Sequence, residues 1–174
     1  MLQPYQIALI ALGVALLFYV VLLVLILLKA ARSRALLSHQ LEALIVILLE
    51  QEKAIGAITM ALSERGNADG GLREEYENLR NICLNELNEE TYRLGNRAEE
   101  TIEGKILFLA QSSSAMEEDG IRQNLEQLRG LRKSHRHMIV VYNGELRNYT
   151  YWTRILIARP ICYLFGFRKK SRLD

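Results

Sequence analysis

The run IALIALGVALLFYVVLLVLILL, residues 7–28, decides how the rest of the chain is read. Its 22 uncharged residues, wound as a helix, rise about 33 Å, enough to cross a hydrocarbon core of about 30 Å. Residues 1–28 hold no charged side chain and no histidine, so all 22 bases and 20 acids fall after them. A cleaved signal peptide would want a basic start, a shorter apolar run and a small-residue cleavage site. Here the start is uncharged, and the only small pair, Ala30-Ala31, follows Lys29. The expectation is an uncleaved single-pass anchor over residues 1–29 with the lipid bilayer as its first partner. Lys29, Arg32 and Arg34 follow the helix and no base precedes it, so the positive-inside rule puts the N-terminus outside and the C-terminus in the cytoplasm.

Outward from the anchor the sequence turns polar but stays helical. The chain has only two prolines, Pro4 and Pro160, which leaves a long interval without a helix breaker. Leu37, Leu41, Leu44, Leu48, Gln51, Ile55, Ile58 and Leu62 alternate steps of four and three, a heptad seam with one polar interruption. Gly66 reads as a C-cap and Asn67 to Gly71 as a turn. A second helix is predicted from Leu72 to Ala110 on the seam Leu72, Tyr76, Leu79, Cys83, Leu87, Thr91, Leu94, Ala98, Ile102, Ile106 and Leu109. Ser114 and Glu117 form a capping box that opens a third, running to about Ala158. Its seam is Ile121, Leu125, Leu128, Arg132, His135, Ile139, Tyr142, Leu146, Tyr149, Thr153 and Leu156.

The fold class expected is therefore all-α: one N-terminal transmembrane helix continuing into an antiparallel bundle of three long helices over residues 30–158. The second helix carries nine acids and five bases, the third five and seven, a complement that suits antiparallel neighbours. Counting helices out from the membrane puts the C-terminus at the distal end, beside the Asn67–Gly71 turn.

Tyr142-Asn143, Leu146-Arg147, Tyr149 and the closing Leu164-Phe165-Gly166-Phe167 resemble the C-terminal signature of the LemA family. The short uncharged N-terminus, single anchor and long helices are similar to that family over the whole chain. The chain differs from the pattern at Leu156-Ile157, where the family usually has Phe-Pro, and in its basic ending, Arg168 to Arg172. The resemblance implies a bacterial inner-membrane protein and brings no catalytic residues with it.

Nothing in the residues reads as an active site. His135 and His137 are two apart on a helix, point to opposite sides and cannot chelate one ion together. Ser112 to Ser114 are loop and cap residues, and no Gly-x-Ser-x-Gly elbow occurs. Glu74-Glu75, Glu89-Glu90 and Glu99-Glu100 read as solvated faces, because no Glu-x-x-His accompanies them. Cys83 and Cys162 read as small apolar fillers. No cofactor, no metal and no enzymatic role is expected, and a net charge of +2 does not suggest nucleic acid.

Two regions remain as candidates for outside contact. Leu37, Leu41, Leu44, Ile45, Leu48 and Leu49 offer more apolar face than two neighbouring helices cover, which points to a self-associating scaffold and a homo-oligomer. The tail, residues 159–174, gathers Tyr163, Phe165, Phe167, Arg168, Lys169 and Lys170, a mixture suited to a lipid surface or a protein partner. The competing reading of the tail is that its apolar residues fold over the end of the bundle.

Overall fold

The computed structural model describes residues 3–64, 70–85, 88–112, 119–155 and 158–173. It holds five helices: α1 (Pro4–Glu64), α2 (Gly70–Leu84), α3 (Glu89–Ser112), α4 (Asp119–Arg154) and α5 (Arg159–Leu164). No strand occurs among the described residues. The Asn67–Asp69 part of the expected turn, Leu87, and the Ser114–Glu117 capping box lie outside the described residues.

α1 runs without a break for 61 residues, about 92 Å at the helical rise. Its first part is long and apolar enough to cross a membrane, and its apolar side chains stand outward there, Leu9 and Phe18 each 70 % exposed. Inward-facing positions start at Ile26 and recur at Ala30, Ser33, Leu37, Leu44 and Leu48, the spacing of one helix face.

The chain divides into two compact units, residues 40–141 and residues 1–39 with 142–172. In the first of these, the expected single second helix is two. Leu84 ends α2, and Asn88 starts α3 as an N-cap, its Oδ1 accepting from the backbone N–H groups of Glu90 at 2.8 Å and Thr91 at 3.1 Å. Thr91 returns the bond, its hydroxyl accepting from the Asn88 N–H at 2.7 Å. This reciprocal cap satisfies donors that a continuous helix would have used, so the chain reverses there without proline or glycine. The two helices lie antiparallel: Lys105, late in α3, reaches Glu75, early in α2, at 2.6 Å.

The unit is thus a four-helix, up-down-up-down arrangement of the 40–64 part of α1, α2, α3 and the 119–141 part of α4. Its core joins Ala54, Ile55, Ile58 and Leu62 to Leu72, Tyr76 and Leu79, then to Ile102 and Ile106, and to Ile121, Leu125 and Leu128. Gly95 permits the close approach of α1 and α3, since a Cβ there would meet Leu48 Cδ2 at 2.8 Å.

An even number of crossings reverses the expected direction of the last helix. In the unit of residues 1–39 and 142–172, Ile26 packs with Ala158 and Cys162, with Leu27, Trp152, Ile155 and Phe167 against them. The tail therefore belongs beside the end of the apolar run of α1, and the expected distal C-terminus is corrected. The expectation failed because one undetected reversal at Asn85–Asn88 changes the parity of every later helix.

α4 stops at Arg154, before the expected Ala158, and Pro160 sits in the first turn of α5, where its missing N–H costs nothing. α5 closes with Gly166 at φ +74°, a left-handed conformation that glycine adopts without a Cβ clash. The Phe167 N–H donates to the Cys162 carbonyl and the Gly166 N–H to the Tyr163 carbonyl, each at 3.0 Å. That pair of bonds is a Schellman stop, and the apolar contact that accompanies it is Phe167 against Cys162.

Candidate functional site

The tail turn is the foot of a basic cleft. Phe167 points inward, its ring centroid 6.4 Å from that of Tyr149 and 5.9 Å from the Arg34 guanidinium. The Tyr149 hydroxyl donates to the Arg168 carbonyl at 2.8 Å, and Arg34 Nη1 donates to the Gly166 carbonyl at 3.5 Å. These contacts hold the last residues against α4 and against α1 one to two turns past its apolar run. A cleft of about 1030 Å³ opens between the end of α4 and the tail. Arg154, Arg159, Lys169 and Lys170 line it, together with Tyr149, Thr150, Thr153 and Tyr163. Among the described residues no carboxylate lines it, and none of the four cations makes an ion pair.

The six tail residues singled out from sequence divide cleanly. Tyr163 is 77 % exposed and Phe165 65 %, Arg168 and Lys169 face outward, Lys170 is half-buried, and Phe167 is the residue that folds inward. The reading in which the tail folds over the helices holds for Phe167, while Tyr163 and Phe165 stay outward. Leu164, 82 % exposed, completes an outward Tyr163-Leu164-Phe165 edge that sequence reading left out. Trp152, Arg154 and Arg159 were also missed: Trp152 meets Ile26 only because the end of α4 lies beside α1, and the two arginines meet Lys169 and Lys170 only once the tail turns back.

The fold also sorts charge. Residues 1–39 and 142–172 hold ten bases against the single acid Glu145, net +9, while residues 40–141 hold twelve bases against eighteen acids, net −6. The small net charge of the chain conceals this separation.

The apolar patch expected to drive self-association is partly consumed inside the chain. Leu37, Leu44 and Leu48 are fully buried, and Leu41, Ile45 and Leu49 half-buried. Part of that cover comes from the added α2–α3 reversal, which sets Gly95 of α3 against Leu48. Val46, 54 % exposed, is what remains open of that stretch.

A second cluster lies within residues 40–141. Gln51 Nε2 donates to Glu99 Oε1 at 3.3 Å, Arg132 pairs with Glu103, and the Tyr92 hydroxyl pairs with His135 Nε2. Burial raises Glu99 to about 7, opposed by the Arg132 charge and reinforced by the like charge of Glu100. Burial, then the nearby Arg132 and Arg136 charges, lowers His135 to about 4. A neutral imidazole accepts the Tyr92 proton, and burial keeps that phenol protonated. Gln51 Oε1 has no partner among the described residues, and a neutral Glu99 has a proton to donate. His135 and Gln51 sit on the seams expected of them; Tyr92, Asn96 and Glu103 were missed, because an apolar period cannot register a polar seam, and Glu99, expected on a solvated face, is instead buried at 1 % exposure. His137 is exposed while His135 is buried, so the two face apart.

The cysteines are free thiols. Burial raises Cys83 to about 11 and raises Cys162 as well, which keeps both protonated and poorly nucleophilic. Among the described residues no three of His, Cys, Asp and Glu converge on a point that could hold a metal ion. No family model, no curated protein and no solved structure matches this chain.

Proposed function

We propose that this chain is a membrane-anchored, non-enzymatic helical scaffold coupled to its bilayer twice, through the α1 anchor and through the aromatic and basic tail. The observation that carries the reading is the packing of Trp152, Ile155, Cys162 and Phe167 around Ile26 and Leu27, the last turn of the apolar run. A tail held at that level meets the headgroup region, where tyrosine and tryptophan rings are favoured and arginine and lysine reach the lipid phosphates. The outward Tyr163-Leu164-Phe165 edge and the +9 charge of residues 1–39 and 142–172 fit such a surface. With bases following the anchor and none before it, the bundle lies on the cytoplasmic side. The LemA-like residues fit the same picture, since Tyr149, Gly166 and Phe167 are the ones that fold the tail back, and they suggest a bacterial inner membrane.

Trp152 is the only tryptophan and supplies the test. In bilayer discs made with brominated lipids, bromines near the headgroups quench its fluorescence more than bromines near the bilayer centre. Equal fluorescence with and without bromine at every depth would refute the double attachment.

Self-association is the second reading, supported by Val46 standing open beside the half-buried Ile45 and Leu49. Light scattering on the detergent-extracted chain tests it: a multimer that Val46→Glu reduces to a monomer supports it, and a monomeric parent chain removes it.

A further inference from the structure

We propose that the cleft between the end of α4 and the tail binds the phosphate headgroup of an anionic phospholipid from the bilayer that α1 crosses. The inference rests on the tail lying at that bilayer's surface and adds the lipid class and the residues that select it.

Four observations converge. Arg154, Arg159, Lys169 and Lys170 come from three separate stretches of chain and line one cleft. Among the described residues no acid shares the lining and none of the four is paired, so their charge is available to a ligand. Arginine offers a planar fork of donors matched to phosphate oxygens, and lysine a mobile point charge. The cleft sits in the unit that holds Ile26 to Arg34, so its depth coincides with the end of the lipid-spanning run. Finally, Tyr163, Leu164 and Phe165 project beside the cations with 65–82 % of their surface open, an apolar edge suited to the acyl side of a headgroup. A soluble phosphate compound would use the cations and leave that edge without purpose; a lipid uses both.

The volume, about 1030 Å³, admits a glycerophosphate headgroup with room for water. A phosphate monoester, carrying more charge than a diester, is the favoured member of the class. Lys29, Arg32 and Arg34 lie in the same unit and raise the local potential for any anionic lipid.

The test is native mass spectrometry of the full detergent-extracted chain, titrated with phosphatidic acid, phosphatidylcholine or inorganic phosphate. Phosphatidic acid is expected to bind more tightly than phosphatidylcholine, and inorganic phosphate is expected not to displace it. Each base near an anionic surface is worth about fivefold, so Arg154→Gln with Arg159→Gln, or Lys169→Gln with Lys170→Gln, weakens binding about 25-fold. Circular dichroism confirms that each pair remains helical. A control, Lys133→Gln with Arg136→Gln, removes equal charge from the other unit and leaves binding unchanged. Equal affinity for the two lipids, displacement by inorganic phosphate, or an equal loss in the control overturns the assignment. Shallow quenching of Trp152 without headgroup preference defeats only this inference; absent quenching defeats the reading beneath it.

Discussion

Replacing Glu99 by glutamine should tilt the pH dependence of stability in a direction that the structure dictates. Glu99 is 1 % exposed and His135 4 %, so neither is screened by water. Burial lifts Glu99 from 4.5 to about 7, so its stabilising contribution is complete below pH 4.5 and disappears as pH rises towards 7. His135 moves the other way, from 6.5 to about 4, so its contribution is complete above pH 6.5 and disappears as pH falls towards 4. Between pH 4.5 and 6.5 the folded chain holds one extra proton on Glu99 and lacks one on His135. The two slopes, about −1.4 and +1.4 kcal/mol per pH unit, cancel. Glu99→Gln leaves the histidine alone, so stability relative to the parent rises by about 2.7 kcal/mol across that interval. His135→Gln leaves the carboxyl alone and produces the opposite tilt, whatever constant offset comes from losing the Tyr92 contact. The double variant runs parallel to the parent. Urea unfolding of the detergent-extracted chain, followed by far-UV circular dichroism at the two pH values, reads each difference. If both single variants track the parent at a constant offset, the two groups titrate as they would in water and the buried polar layer is misread.

The turn that ends α5 and the cap that starts α3 give two further expectations. Gly166→Ala places a Cβ at φ +74°, which costs about 1–2 kcal/mol, and hydrogen exchange should show faster opening at the amides of Gly166 and Phe167 while the amides of Ile102 to Ile106 stay protected. Unchanged protection of the tail would mean that the turn does not hold it in place. Asn88→Ala removes the acceptor for the Glu90 and Thr91 N–H groups and should lower unfolding stability by about 1 kcal/mol, while Asn88→Asp keeps most of it. Equal losses in the alanine and aspartate variants would refute the capping role.

The seams of α1 and α4 were legible because burial there follows apolar residues at helical spacing. Gln51 and His135 were legible as interruptions in those seams. The reversal at Asn85–Asn88 was not, since Leu87, Thr91 and Leu94 continue the apolar period closely enough to conceal it, and Leu94 is in fact half exposed. The signal that would have found it was Asn88 with Thr91 three residues on, a capping pair made of residue types that also occur inside helices. The basic cleft was illegible for a related reason. Arg154, Arg159 and Lys169 were visible as charges, but their meeting in one cleft depends on the chain turning back after α5, which the Gly166 turn and the Tyr149 contact to Arg168 set. The polar layer around Glu99 escaped because hydrophobic periodicity looks for apolar residues, and there the inward face is Tyr92, Asn96, Glu99 and Glu103.

The contact between Arg34 and Gly166 joins points 132 residues apart. At about 5–20 residues per second of synthesis, the first part of α1 waits about 7–26 s before its tail exists. During that interval the turn from Ile26 to Arg34 has no partner from the end of its own chain, whereas the α2–α3 hairpin can close as soon as it is made. Assembly of this protein is therefore ordered in time, with the middle of the chain complete before the tail can close against α1. Until then Ile26 and Leu27 stand without Trp152, Cys162 and Phe167 against them.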